Sequence, residues 1–144
     1  MSLKLEQLIN MLLHKSEQLE EDMKQKSDLR SLTVRQLFCI ETIMELNNPT
    51  LSELASMLNI TKPSASVMLD RLEENNYLYR IKSDNDRRSA HVHLTEKGEK
   101  AALLHSELHR EITLRLTKDL TESEKEILVV LLNKAIQSLV RKED

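Results

Sequence analysis

A mainly α-helical chain with one small β-hairpin is expected from three observations. Only 2% of the residues are aromatic and Gly and Pro total three, whereas Leu, Ala, Met, Glu, Lys and Gln, which lose least on entering a helix, abound. Apolar residues recur at helical spacing over most of the length. After Asn75 and Asn76, however, the pattern switches to strict alternation, the mark of strands. With 144 residues a single domain is expected over 1–144, able to bury roughly 68–70% of its unfolded surface.

The first helix is expected over Leu3–Lys26, with Leu5, Leu8, Ile9, Leu12, Leu19 and Met23 on one stripe. Leu3, Met11 and Leu13 add more apolar surface than one core face requires. The second helix follows Thr33, whose hydroxyl can accept from the first orphan amides while Gln36 reaches back in a capping box. It carries Val34, Leu37, Phe38, Ile40 and Met44 and stops at Asn47-Asn48-Pro49. A short third helix repeats the box with Thr50 and Glu53 and carries Leu51, Leu54, Ala55 and Leu58.

Asn59 and Ile60 turn the chain, and Thr61 caps a fourth helix with Pro63 at its second position, where a missing amide costs nothing. Two short helices on a tight turn make a helix-turn-helix. Ala65, Met68, Leu69 and Leu72 form the core face of the fourth helix. The opposite face holds Lys62, Ser64, Ser66, Val67 and Arg71, small side chains flanked by cations. A solvated face is ordinarily rich in Glu and Lys. A face that approaches a groove floor needs short hydroxyls, with long cations to reach phosphates or guanine edges. With Thr61 and Pro63 at the helix start, this face is expected to meet DNA.

Tyr77–Lys82 alternates Leu78, Arg80, Lys82 against Tyr77, Tyr79, Ile81, and Ala90–Leu94 alternates Ala90, Val92, Leu94 against His91, His93. Two half-buried strands are expected there, joined by residues 83–89, which are rich in turn formers. A hairpin directly after a helix-turn-helix is a winged helix. The fifth helix, Glu96–Lys118, carries Ala101, Leu104, Leu108, Ile112 and Leu116. Thr121 with Glu124 caps a sixth, with Ile127, Leu128, Leu131, Ala135 and Leu139. These long amphipathic helices have too little core in one chain to bury against, so association with a second copy is expected.

Charge argues for a small basic footprint. Lys and Arg total 21 against 24 Asp and Glu, a net −3, where a dedicated nucleic-acid module is often strongly basic. Cations gather within Tyr77–His93 as Arg80, Lys82, Arg87 and Arg88, against Asp84 and Asp86. One glycine, Gly98, leaves no glycine-rich phosphate loop, and no HExxH or GxSxG is present, so no enzyme is expected. The single cysteine, Cys39, forbids an intramolecular disulfide and, between Phe38 and Ile40, reads as a buried structural thiol. The longest apolar run, Ile127–Leu132, is six residues, so a cytoplasmic protein with no membrane partner is expected.

The helix-turn-helix LSELASMLNITKPSASVMLDRLEEN, the strand YLYRIKS, the loop DNDRRS and the run HLTEKG together resemble the MarR family of winged-helix transcription regulators. The resemblance implies a homodimer held by residues 1–30 and 99–144, with 31–98 as the winged DNA-binding lobe. It implies a pseudo-palindromic operator in double-stranded DNA and repression relieved by an unidentified small-molecule ligand. It also implies that Arg88, with Arg87 beside it, enters the minor groove, that Asp86 holds an arginine extended, and that Asp70 steadies the wing from the fourth helix. Val67 stands where many relatives carry a polar or basic residue; it either packs on a thymine methyl or touches nothing. The alternative of a protein-binding adaptor or antirepressor on the same fold has no need of hydroxyls framed by Lys62, Arg71, Arg87 and Arg88.

His105 and His109 are four apart on the fifth helix, a spacing that zinc sites use. Cys39, Glu41, Glu107 and His14 are conceivable further ligands, but nothing in the sequence places them nearby. The pair reads as the polar lining of a cavity or dimer surface, as solvent-exposed, or as part of a metal-responsive regulator. With no CxxC and no third local ligand, neither zinc nor any other cofactor is expected. His91 and His93 read as phosphate-proximal or solvated on the outside of the wing.

Overall fold

The computed structural model describes residues 2–83 and 86–141, with the backbone alone at 83 and 86–89. In chain order the elements are α1 (Leu5–Gln25), α2 (Val34–Leu46), α3 (Leu51–Leu58), α4 (Lys62–Glu74), β1 (Leu78–Ser83), β2 (Asp86–Leu94), α5 (Glu96–Thr117) and α6 (Glu122–Val140). They divide into two compact units, Met1–His109 and Arg110–Asp144.

The core of the first unit joins Leu37, Ile40 and Ile43 of α2 with Leu54 of α3, Leu69 and Leu72 of α4, and Leu78 and Val92 of the hairpin. Each is at least 98% buried, which stabilises by about 1.5–3 kcal/mol per side chain relative to exposure. Caps fix where the helices start. Thr33 and Gln36 exchange hydrogen bonds across the first turn of α2, and Thr61 accepts from the amide of Ser64 at the start of α4. At α3 the cap is one-sided: Thr50 accepts from the Glu53 amide, but the Glu53 carboxylate takes the Thr50 hydroxyl rather than a backbone amide. The turn between α3 and α4 rests on Asn59, held at φ 53°, a left-handed conformation that Asn tolerates better than branched residues.

β1 and β2 pair antiparallel with Leu78 opposite Leu94 and Arg80 opposite Val92. β2 starts at Asp86, earlier than the expected Ala90, because backbone pairing continues past the side-chain alternation with a register shift at Lys82/Ser83. Tyr77, expected to share a face with the exposed Tyr79 and Ile81, is buried. It lies before the strand begins, its amide bonded to Leu72 O and its ring beneath the Lys97 ammonium at 4.2 Å. The loop before α3 is stitched to the wing by Val92 N to Pro49 O at 2.8 Å. Lys24, buried at the end of α1, donates to Leu32 O at 2.8 Å and fastens the connection to α2.

The apolar stripe of α1 is not a core stripe within one chain: Leu5, Leu8, Ile9 and Leu12 are all exposed, and only Lys24 of this helix is buried. On α5 the buried residues are Gly98, Ala101, Ala102, His105 and Leu108, while the expected core positions Leu104 and Leu116 are exposed. In the second unit, α6 begins at a complete Thr121–Glu124 capping box and has no buried residue.

Candidate nucleic-acid interface

The geometry of α4 follows from its pattern. Ala65, Leu69 and Leu72 face the core, leaving Thr61, Lys62, Pro63, Ser64, Val67 and Arg71 exposed on the far side. Val67 is 54% accessible and lies open on this face. Ser66 differs from the others: it is half-buried beside the wing, its carbonyl 3.4 Å from Arg80 Nη2. Thr61 Oγ1 donates to Ser64 Oγ at 2.9 Å, which leaves the Ser64 hydroxyl proton to give elsewhere.

An open cleft of 470 Å³ runs along this face, lined by Thr33, Arg35 and Gln36 of the α2 start and by Pro63, Ser64, Val67, Met68 and Arg71. The starts of α2 and α4 therefore both border it, Arg35 lying in the first turn of α2 and Arg71 in the last turn of α4. Acidic residues favour a helix first turn because they oppose its positive end, and Glu6, Glu53, Glu96 and Glu122 occupy that place in α1, α3, α5 and α6. α2 and α4 have none. Arg35 has no place in the sequence-based set of DNA-facing residues, although the missing acids were a signal; what sequence could not supply was the approach of α2 to α4.

Asp70 does reach the wing, and its partner is Arg80 of β1, with Nη2 2.8 Å from Asp70 Oδ1 and Nε 3.9 Å from Glu73 Oε2. Arg80 is thereby committed to joining α4 to the hairpin. The side chains of Asp86, Arg87 and Arg88 lie outside the described residues. His91 and His93 are tied down rather than free on the wing surface: His91 Nδ1 is 2.9 Å from Asn48 O, and His93 stacks on Tyr79 at 5.3 Å. Both are half-buried at the root of the wing.

A second polar cluster lies away from this face. His105, 3% exposed, places Nε2 3.2 Å from Glu20 Oε1 and Nδ1 2.8 Å from Glu41 Oε1. His109 places its Nε2 2.9 Å from the same Glu20 oxygen, the two rings meeting edge to face at 4.4 Å. Partial burial pushes the Glu20 carboxyl up, but hydrogen bonds from His109 and His105, with their charges, outweigh it and hold Glu20 below the ordinary carboxylate range. Glu41 was conceivable from sequence. Glu20 was not, because 85 residues separate it from His105. Cys39 is buried in α2, and that burial pushes its thiol up to about 12, as suits a structural cysteine.

The model of the MarR family matches residues 32–90 of the chain. The uncharacterized HTH-type transcriptional regulator YkoM of Bacillus subtilis is 32% identical over 85 residues, 59% of this chain and 55% of YkoM. The chain thus spans about half the length of the curated relatives it matches first. Among solved structures, Streptococcus pneumoniae FabT in complex with DNA superposes with a TM-score of 0.86 at 24% identity, covering 94% of each chain. A mutant of MarR from E. coli, complexed with operator DNA, gives a TM-score of 0.70 at 29% identity over 91% of this chain and 92% of that one. No helix among the described residues is long and apolar enough to cross a membrane.

Proposed function

We propose that the chain is a MarR-family transcriptional regulator that binds double-stranded operator DNA through α4 and the wing. The observation that carries this reading is the cleft where the two acid-free helix starts meet, with Arg35 on one wall and Arg71 on the other. Phosphates along this cleft meet the positive helix starts beside Arg35 and, farther along α4, the Arg71 guanidinium. Lys62 and Arg71 anchor the backbone, while Ser64, with Thr61 and Pro63 setting its position, approaches base edges in the major groove. Ser66 supports this surface from its half-buried side. Val67 packs against a thymine methyl, which its exposure allows and its chemistry suits.

Arg87 and Arg88 extend from the wing into the adjacent minor groove, with Asp86 orienting them. A homodimer presents two such lobes about 34 Å apart, one turn of DNA, on a pseudo-palindrome. It acts in the cytoplasm as a repressor, released by a small-molecule ligand.

Footprinting on the DNA upstream of the protein's own coding sequence, at two salt concentrations, tests the reading. A protected pseudo-palindrome is expected, with affinity falling steeply as salt rises. Arg35→Ala and Arg71→Ala should each lower the slope of log affinity against log salt by about 1. Equal binding to random DNA with no protected site would remove the specific regulator.

A further inference from the structure

We propose that the polar cavity between the end of α2, the root of the wing and the start of α5 is a binding site for a compact organic cation. The class is an alkylammonium or alkylguanidinium whose charged head lies against Glu99 and Tyr79. The cavity holds 230 Å³, space for about seven waters, and lies wholly within the first unit. Its walls come from Met44 and Asn47 at the end of α2, Tyr79 of β1, His93 and Leu94 of β2, and Glu99 of α5.

Charge selects the occupant. The last four carbonyls of a helix lack intrahelical partners and form its negative end. In α2 only Met44 O takes an amide from beyond the helix, Asn47 N at 3.3 Å. The last turns of α1, α4 and α5 set Lys24, Arg71 and Arg115 against that charge. α2 has no basic residue there and ends at this cavity instead. Glu99 adds a full negative charge. Glu96, its neighbour in the first turn of α5, pairs with Lys100 at 3.3 Å, whereas Glu99 has no ion pair among the described residues. Nor does any Lys or Arg among them line the cavity.

The other walls narrow the class. Tyr79, exposed and stacked on His93 at 5.3 Å, offers the kind of aromatic surface that holds ammonium and guanidinium groups. Main-chain carbonyls and the Asn47 amide oxygen accept N–H donors, which favours an amine or guanidine over a quaternary ammonium. Met44 and Leu94 leave apolar surface for a short aliphatic chain. These walls are held before any ligand arrives. Asn47 and Asn48 turn the chain in the left-handed region, at φ 55° and 62°. The turn is tied to β2 through His91 Nδ1, 2.9 Å from Asn48 O, and through Val92 N, which donates to Pro49 O. A preformed pocket spares the ordering cost that a small ligand could not meet. An occupant touches α2, both wing strands and α5 at once, and so braces the wing against the rest of the lobe.

Titration calorimetry of the untagged full chain with n-butylguanidinium chloride tests the site, at pH 8, where an ordinary imidazole is neutral. Saturable binding of one cation per chain in the millimolar range is expected, with amide NMR shifts at Asn47, Asn48, Tyr79 and Glu99. Glu99→Gln should weaken binding about three- to tenfold, since the carboxylate is exposed. Tyr79→Leu should weaken it about two- to fivefold, and Tyr79→Phe should bind as the wild type does. Butyrate, of similar size and opposite charge, should not bind. Both altered residues are exposed, and circular dichroism checks that each variant is folded. Absent or unsaturable binding, butyrate held as tightly as the guanidinium, or affinity unchanged in either Glu99→Gln or Tyr79→Leu would overturn the site. None of these outcomes touches the operator reading, which footprinting tests without the cation.

Discussion

Gly98 is the only glycine in the chain, and its position explains why a side chain is not tolerated there. A Cβ added to it would overlap the Tyr77 carbonyl oxygen and press on Leu94 Cδ2. That carbonyl already accepts from the Thr95 amide at 3.1 Å, while Thr95 Oγ1 accepts from Gly98 N, so the start of α5 is clamped against the end of α4 and the wing. The overlap is with backbone, which cannot rotate away. Gly98→Ala should therefore destabilise by about 1–3 kcal/mol, an overpacking cost, even though alanine is the better helix former. Urea unfolding followed by circular dichroism measures it; an unchanged midpoint would show that α5 is not seated as described. Cys39 makes an opposite case, a reactive residue type silenced by its surroundings. With its thiol near 12, only about one molecule in 10⁴ carries thiolate at pH 8. Alkylation should be negligible in the folded protein and rapid in denaturant, and fast modification of the native chain would contradict its burial.

Between elements, Arg80 is the joint that sets the wing on α4. It reaches Asp70, Glu73 and the Ser66 carbonyl from one strand, so wing and recognition face move together. Because Asp70 is more than half exposed, solvent screens the pair, and Asp70→Asn should cost less than about 1 kcal/mol of stability. Its larger effect should fall on DNA affinity, through a loosened wing. A double-mutant cycle of Asp70→Asn with Arg80→Gln, read in both stability and operator binding, separates the two effects; additive losses in binding would mean that no coupling passes through this joint. The elements themselves were legible in the sequence because their signals are local. Thr33, Thr50, Thr61 and Thr121 all cap where spacing places them, and Asn59 turns where it should. The exposed face of α4 was legible for the same reason. Tyr77 and the early start of β2 were not, since backbone pairing and tertiary cover decided them. Nor was Glu20 beside His105, or Arg35 across the cleft from Arg71, because such encounters depend on how helices meet and leave no mark in spacing.

One chain leaves an extensive apolar surface uncovered on α1 and on α6. Leu5 is 74% exposed on α1, and Leu139 and Val140 are 87% and 74% exposed on α6, with Leu8, Ile9, Leu12, Ile127, Leu131 and Ile136 also open along the same helices. Apolar stripes of this extent mark an interface rather than a solvated face. The proposed occupant is a second copy of the chain, since a two-fold pair of lobes is what a pseudo-palindrome would require. Burial at about 25 cal/mol per Å² must exceed the association cost of roughly 4–15 kcal/mol, which a small contact could not do but extended helical stripes can. Light scattering at micromolar concentration should give twice the 16.7 kDa of one chain. Leu131→Glu, which places a charge within the α6 stripe, should shift that mass toward a single chain and weaken operator binding in parallel, since one lobe alone grips only a half-site. A monomeric mass for the wild type would remove the dimer, and a monomer that still protects both half-sites would remove the link between assembly and DNA recognition.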